Sequence, residues 1–221
     1  MDLSKEAIAN TIDHTFLSPD GTLEDIERLC REAVEYSFAT VAIAPDFVKF
    51  ASENLEGADV GVDVAVGFPL GYTTTPTKVF ETIDSIQNGA TEVDMVANLV
   101  AVKGGRWEKV KNDIEAVSRA TRGKTLKVIL ETCYLSKDEI KKLASICLEI
   151  EGVDFIKTST GFGPEGATVE NVELMKRVVG DELKVKAAGG IRTLEDYKEM
   201  RQAGASRIGT SSGLAIVDEA S

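Results

Sequence analysis

The sequence predicts an α/β fold, a (β/α)8 TIM barrel with a short N-terminal helix. Three observations carry this reading. Short β-branched apolar runs alternate with helical patterns along the whole chain, which implies a parallel sheet covered by helices. Eight such units fit a single compact barrel domain over residues 1–221. Glycine-rich turns fall late, at 161–166, 189–190 and 209–213, where a barrel keeps its phosphate loops. An open doubly wound sheet instead places a glycine-rich turn after its first strand, and none follows Thr15.

The elements follow in order. A short N-terminal helix precedes "TIDHT" (11–15), the first strand. Thr22 with Asp25 resembles a capping box opening "TLEDIERLCREAVEY", where Leu23, Ile26, Leu29, Cys30, Ala33 and Val34 keep the helical period. Strands are then expected at "ATVAIA" (39–44), "VDVAVGF" (62–68), "TEVDMVANL" (91–99) and "LKVILET" (126–132), each short and bounded by Gly or polar residues. Ser136 with Glu139 opens a second capped helix, whose buried face is Ile140, Leu143, Ala144 and Cys147. "VDFIKTS" (153–159), "LKVKAAGG" (183–190) and "SRIGTSS" (206–212) complete the strands. A helix from Thr193 to Gly204 separates the last two. Phe80, Trp107 and Tyr197 read as helix-face or core packing.

Composition limits the function. A net charge of −12 argues against general affinity for nucleic acid or anionic membranes, but allows a local cationic pocket. Five prolines and 19 glycines argue against disorder. The N-terminus has no apolar signal core and no run is long enough to span a bilayer, so a soluble, cytoplasmic protein is expected. Cys30, Cys133 and Cys147 lack metal-ligand spacing and read as buried free thiols. The single histidine, His14, excludes a multi-histidine metal site and reads as structural.

Strand ends carry the chemistry of a barrel. Read in order, they present Asp13 and Thr15, Asp94 and Asn98, Glu131, Lys157, and Lys186. Lysines close together in a partly dry site repel, so one loses its proton easily. A free lysine is neutral in about one molecule in 2,500 at pH 7. Lowering its pKa to about 7 takes roughly 4.6 kcal/mol, which a cationic neighbour plus desolvation can supply. A neutral lysine forms a Schiff base with a carbonyl substrate. Asp94, within an apolar run, reads either as a salt-bridge partner for a lysine or as the proton carrier of enamine chemistry. Glu131 reads as a network carboxylate rather than a catalyst.

The glycine turns supply an anion site. "TGFG", with Thr160 and Gly161, "AAGGIRT", with Gly189 and Gly190, and "GTSSG", with Gly209, Ser211 and Ser212, offer backbone N–H groups and hydroxyls. The last two lead into helices, whose dipoles add attraction. Arg192 reads equally as a helper and as a surface ion-pair residue.

At these motifs the chain resembles the deoxyribose-phosphate aldolases, nearly end to end. "TIDHT" with "SPD", "VAIAPDFV", "VGFPLG", "EVDMVANL", "KVILETC", "DFIKTSTGFG", "GATVE", "VKAAGGIRT" and "RIGTSSG" stand in that family's order. The resemblance implies reversible cleavage of 2-deoxy-D-ribose 5-phosphate to D-glyceraldehyde 3-phosphate and acetaldehyde, with no metal or organic cofactor. It implies Lys157 as the Schiff-base lysine, Lys186 as the second lysine that depresses its pKa, and Asp94 as the acid of a proton relay. Gly189, Gly190, Ser211 and Ser212 match phosphate-binding positions, and Thr15 a substrate-proximal one. A homodimer or homotetramer is implied. The chain departs from many relatives at Ser18, where they have Lys, and at Ala42, where they have Cys. It also lacks, at "VDEAS", the tyrosine that ends some members' longer tails. The rival readings are a Schiff-base barrel aldolase for another phosphosugar and a phosphosugar-binding barrel without catalysis.

Overall fold

Eight parallel strands close on themselves in sequence order. They are β1 Ile12–Thr15, β2 Thr40–Ile43, β3 Gly61–Val66, β4 Glu92–Val96, β5 Thr125–Ile129, β6 Phe155–Lys157, β7 Lys184–Ala188 and β8 Arg207–Thr210. Pairing of Ile12 with Ile208 and of Asp13 with Gly209 joins the first strand to the last. The structure is a computed structural model and describes residues 2–220, so the outermost residues of the expected 1–221 domain, Met1 and Ser221, lie outside it. The expected (β/α)8 barrel is therefore the observed one.

The helices are α1 Lys5–Ala9, α2 Leu23–Tyr36, α3 Val48–Asn54, α4 Thr75–Gln87, α5 Leu99–Lys103, α6 Trp107–Thr121, α7 Lys137–Leu148, α8 Val169–Val179, α9 Leu194–Gln202 and α10 Gly213–Asp218. Local sequence sets their starts. Thr22, Ser136 and Thr193 each accept the N–H of the residue three on, and the acidic side chain there bonds back to the cap. Most strands are shorter than the apolar runs that predicted them; 153–159, for example, contains only Phe155–Lys157. The surplus residues lie in the loops that flank the strands at both ends.

Strand parity divides the side chains into two sets. Val41, Ile43, Val62, Val64, Val66, Val93, Met95, Leu126, Val128, Ile156, Val185 and Ile208 are buried between sheet and helices. Complete burial of such a side chain contributes about 1.5–3 kcal/mol, so this layer is the hydrophobic core. The alternate residues share the barrel interior. Register sets Asp63 beside Glu92, Asp94 beside Lys127, Lys157 beside Lys186, and Lys186 beside Arg207.

Two expectations are corrected. Phe80 is not packed: it lies on the outer face of α4 and is 72% exposed. The helical period around it is satisfied by Lys78, Thr82 and Ser85 instead. Cys133 is only half-buried, because it sits in the short turn Thr132–Tyr134 after β5 rather than in the strand, whereas Cys30 and Cys147 are buried. Trp107 packs against the core, and Tyr197 is buried with its hydroxyl 2.8 Å from Thr11 Oγ1.

Sequence patterning gave no sign of a buried ion pair between α4 and α6. Lys78 Nζ lies 2.6 Å from Asp113 Oδ2 and donates to the Val96 carbonyl at 2.8 Å; both side chains are sealed from water. Thr75 Oγ1 donates to Asp113 Oδ1. Asp113→Ala strands an ammonium, and destabilisation of about 3–5 kcal/mol is expected in urea unfolding. The paired change Lys78→Met with Asp113→Leu should recover most of that loss. Equal losses in the single and double variants would show that the pair's geometry, not its charge balance, matters.

Candidate active site

β6 places Lys157 at the mouth end of the barrel interior. Its neighbours come from distant strands because the barrel closes. Asp94 Oδ2 lies 2.5 Å from Lys157 Nζ and 2.7 Å from Lys186 Nζ, so one carboxylate oxygen joins both lysines. Lys186 Nζ also contacts Asp13 at 2.5 Å and Asp63 at 2.8 Å. Lys127 Nζ contacts Glu92 at 2.6 Å, Asp63 at 2.9 Å and Asp94 Oδ1 at 2.9 Å. Arg207 closes the ring on Asp13 at 2.5 Å and reaches Glu92 at 3.4 Å. Asp13, Asp63, Glu92 and Asp94 thus face Lys127, Lys157, Lys186 and Arg207. A Cβ at Gly209 would come within 3.1 Å of Lys186 Cε, so glycine there makes room for the lysine.

The three interior lysines differ. Burial lowers the pKa of Lys157; Asp94 opposes that and the Lys186 cation adds to it. Burial also works against charge on Lys186, but Asp13, Asp63 and Asp94 outweigh it and hold its pKa above the ordinary lysine range. Lys127 is held charged in the same way by Asp63, Asp94, Asp13 and Glu92. Burial raises Asp63 to about 6, with the Asp94 charge adding to the effect. Asp94 resists its own burial because Lys127, Lys157 and Lys186 hold it well below the usual carboxylate range. The main cause of the softened Lys157 charge is therefore burial, with the neighbouring lysine secondary.

A cavity of about 380 Å³ opens above Lys157. Thr15, Thr160, Gly161, Gly189, Gly190, Gly209 and Ser211 line it, with Ser18 and Arg192. Gly189 and Gly190 both take positive φ, 85° and 82°, where a side chain would be strained. The loop before α8 rests on this turn: a Cβ on Gly166 would meet the Gly189 carbonyl oxygen at 2.1 Å. Ser212 does not line the cavity. Its N–H bonds to Thr210 Oγ1, and it borders a neighbouring groove with His14. His14 is buried there, 2.8 Å from Glu32, and burial depresses its pKa. The helix after "GTSSG", α10, has only six residues.

Asp63, Lys127, Glu92 and Arg207 escaped sequence reasoning, which listed Asp13 only as a strand end. The available signal was a charged residue at inward parity in every strand except β2. Carboxylate oxygens of Asp13, Asp63 and Glu92 lie within 4.8 Å of one another. Lys127, Lys186 and Arg207 already neutralise them, so their donor set does not fit a cation. The site combines a softened amine, a shared carboxylate and a nearby cavity lined by glycines, Ser211 and Arg192. That combination suits Schiff-base chemistry on a small phosphorylated carbonyl compound.

Comparison with known proteins identifies the family. The family model described as "DeoC/LacD family aldolase" matches residues 7–219. Deoxyribose-phosphate aldolase from Staphylococcus saprophyticus is 54% identical over 95% of this chain and 94% of its own length. The enzyme of that name from Thermoanaerobacter sp. is 52% identical over 96% of each chain. The tetrameric deoxyribose phosphate aldolase from Aeropyrum pernix superposes with a TM-score of 0.91 at 32% identity, covering 97% of this chain and 91% of that one. A family match over almost the whole chain, an eight-stranded barrel and an interior lysine under a glycine-lined cavity together establish that this chain belongs to the DeoC/LacD family of aldolases.

Proposed function

We propose that the protein is a class I aldolase. It reversibly cleaves 2-deoxy-D-ribose 5-phosphate to D-glyceraldehyde 3-phosphate and acetaldehyde through a Schiff base on Lys157. The observation that carries this reading is the shared oxygen of Asp94 between Lys157 and Lys186, directly beneath the cavity. The relatives' names supply the substrate.

The neutral amine of Lys157 attacks the C1 aldehyde of the open-chain sugar. Loss of water from the carbinolamine gives an iminium. That cation draws the electrons of the C2–C3 bond into an enamine, as the C3 hydroxyl gives up its proton and glyceraldehyde phosphate leaves. Protonation at C2 and hydrolysis release acetaldehyde and regenerate the amine. Asp94 is the proposed proton carrier, and the fixed charges of Lys127 and Lys186 keep it ionised between transfers. Thr15, Thr160 and Gly161 border the reacting end in this reading. Gly189, Gly190, Gly209, Ser211 and Arg192 receive the phosphate, with Ser212 supporting the turn behind them.

No helix among the described residues is long and apolar enough to cross a membrane. Together with the three free thiols this supports a cytoplasmic site of action. A homo-oligomer is proposed on the tetrameric Aeropyrum pernix relative, and sedimentation would distinguish dimer from tetramer.

Three experiments test the reading. Borohydride with acetaldehyde should leave a reduced two-carbon adduct on Lys157, located by peptide mass mapping. Lys157→Arg should abolish both adduct and turnover in a folded protein, since guanidinium stays protonated. An adduct confined to Lys186 or to surface lysines would reverse the assignment.

The pH dependence of trapping has a definite sign. Only the neutral amine reacts, so trapping rises with pH through the depressed pKa of Lys157. Removing the cation in Lys186→Met raises that pKa and moves the profile to higher pH. Removing the anion in Asp94→Asn lowers it and moves the profile down, while turnover falls about 100-fold for want of a proton carrier. Shifts of the same sign in both variants would refute the electrostatic account.

The phosphate assignment is tested at Ser211, which borders the cavity and is exposed. Ser211→Asp should weaken use of the phosphorylated sugar by like-charge repulsion, about tenfold or more in kcat/KM. Acetaldehyde self-condensation should be barely affected. Equal losses on both reactions would place the phosphate elsewhere.

A further inference from the structure

Glu131 is a buried carboxylate that the proposed chemistry does not use, and its backbone is strained. It follows β5 with φ 56° and ψ 64°, the left-handed region that residues other than glycine seldom adopt. Such a conformation persists where surrounding contacts over-determine it, most often at functional sites. The contacts are specific. Glu131 Oε1 accepts the Thr160 N–H at 3.1 Å, and Oε2 accepts the Thr160 hydroxyl. Thr160 Oγ1 in turn accepts the Phe162 N–H at 3.1 Å. The next residue is pressed against the same group: a Cβ on Gly163 would lie 2.7 Å from Cys133 Sγ and 3.5 Å from the Glu131 carboxylate. Thr160, Gly161 and Phe162 all line the cavity above Lys157.

We infer that Glu131 is a positioning residue: it clamps Thr160 and thereby holds the Thr160–Phe162 turn as the substrate-binding wall of the cavity. The chemistry of the donors explains why a carboxylate stands here. Thr160 presents an N–H and an O–H to one side chain, and an ionised carboxylate accepts both. A glutamine has one acceptor oxygen and sets an NH2 group against the second donor. The strained backbone is what brings a side chain of the β5 end under the loop that follows β6. Outside the clamp, Phe162 meets Phe68 edge-on at 5.2 Å, so the wall is braced on both sides. This role rests on the aldolase reading.

The test uses Glu131→Gln, Thr160→Val and the two together in the full chain. In each single variant KM for 2-deoxyribose 5-phosphate should rise on the order of tenfold, the effect of losing a hydrogen bond to a buried charge, while kcat changes far less. The double variant should be no worse than the poorer single, because both substitutions disrupt the same carboxylate–hydroxyl contact. Amide hydrogen exchange at Thr160 and Phe162 should quicken in Glu131→Gln. A fall in kcat at unchanged KM, or losses that multiply in the double variant, would overturn the clamp. If Glu131→Gln does not fold, Thr160→Val alone carries the same KM expectation. Should the wild type neither cleave this sugar nor form the Lys157 adduct, the aldolase reading fails by itself. Exchange then decides the clamp: quickened amides keep it, and unchanged amides refute it.

Discussion

Charge inside the barrel is the constraint on which the rest of this structure depends. A barrel interior is ordinarily filled by branched apolar side chains. Here Asp13, Asp63, Glu92 and Asp94 meet Lys127, Lys157, Lys186 and Arg207 inside the ring of strands. Every member is paired, and most have more than one partner, as burial demands, since an isolated buried charge is far more costly than a paired one. Such a network contributes little net stability, because desolvation cancels much of its Coulomb attraction. What it fixes is position. Each ammonium is held by two or more carboxylates or shares one with a neighbour, so none has freedom to choose another rotamer. Stability comes instead from the apolar layer between strands and helices.

The network also separates the roles of its lysines. Lys127 and Lys186 each touch at least three carboxylates and keep their charge. Lys157 touches only Asp94, and of the network it alone borders the cavity. Burial therefore decides its ionisation, while the others are decided by their partners. One residue of a balanced ring is thus left able to lose a proton without the ring coming apart. A reactive amine at neutral pH needs this asymmetry more than it needs a single cationic neighbour.

Above the ring, loops convert fixed strands into a shaped cavity. Glycine permits the close approach of the loop before α8 to the turn after β7, and the positive φ of Gly189 and Gly190 keeps that turn tight. Thr160 is tied to Glu131 across two strand ends. Because the ties run between loops of different strands, the cavity depends on the barrel's register as much as on its own residues.

The fold was legible in the sequence for physical reasons. Alternating apolar runs and capped helices impose their periods locally, and Thr22, Ser136 and Thr193 act within a few residues of themselves. Lys157, Lys186 and Asp94 stood out because each is a charge in an apolar run, and the two lysines run into glycine or hydroxyl residues. Asp13, Asp63, Glu92, Lys127 and Arg207 carried weaker signals, since one charged residue in a short strand also describes a solvated face. Phe80 misled in the opposite sense, as hydrophobicity alone does not say which side of a helix is covered. The sequence by itself determined the elements, their order and the identity of the softened lysine's motif. Tertiary structure alone decided that Asp94 lies between two lysines, that burial outweighs lysine–lysine repulsion, and that Glu131 reaches the β6 loop. These are distances between strands remote in the chain, and only closure and register of the barrel set them.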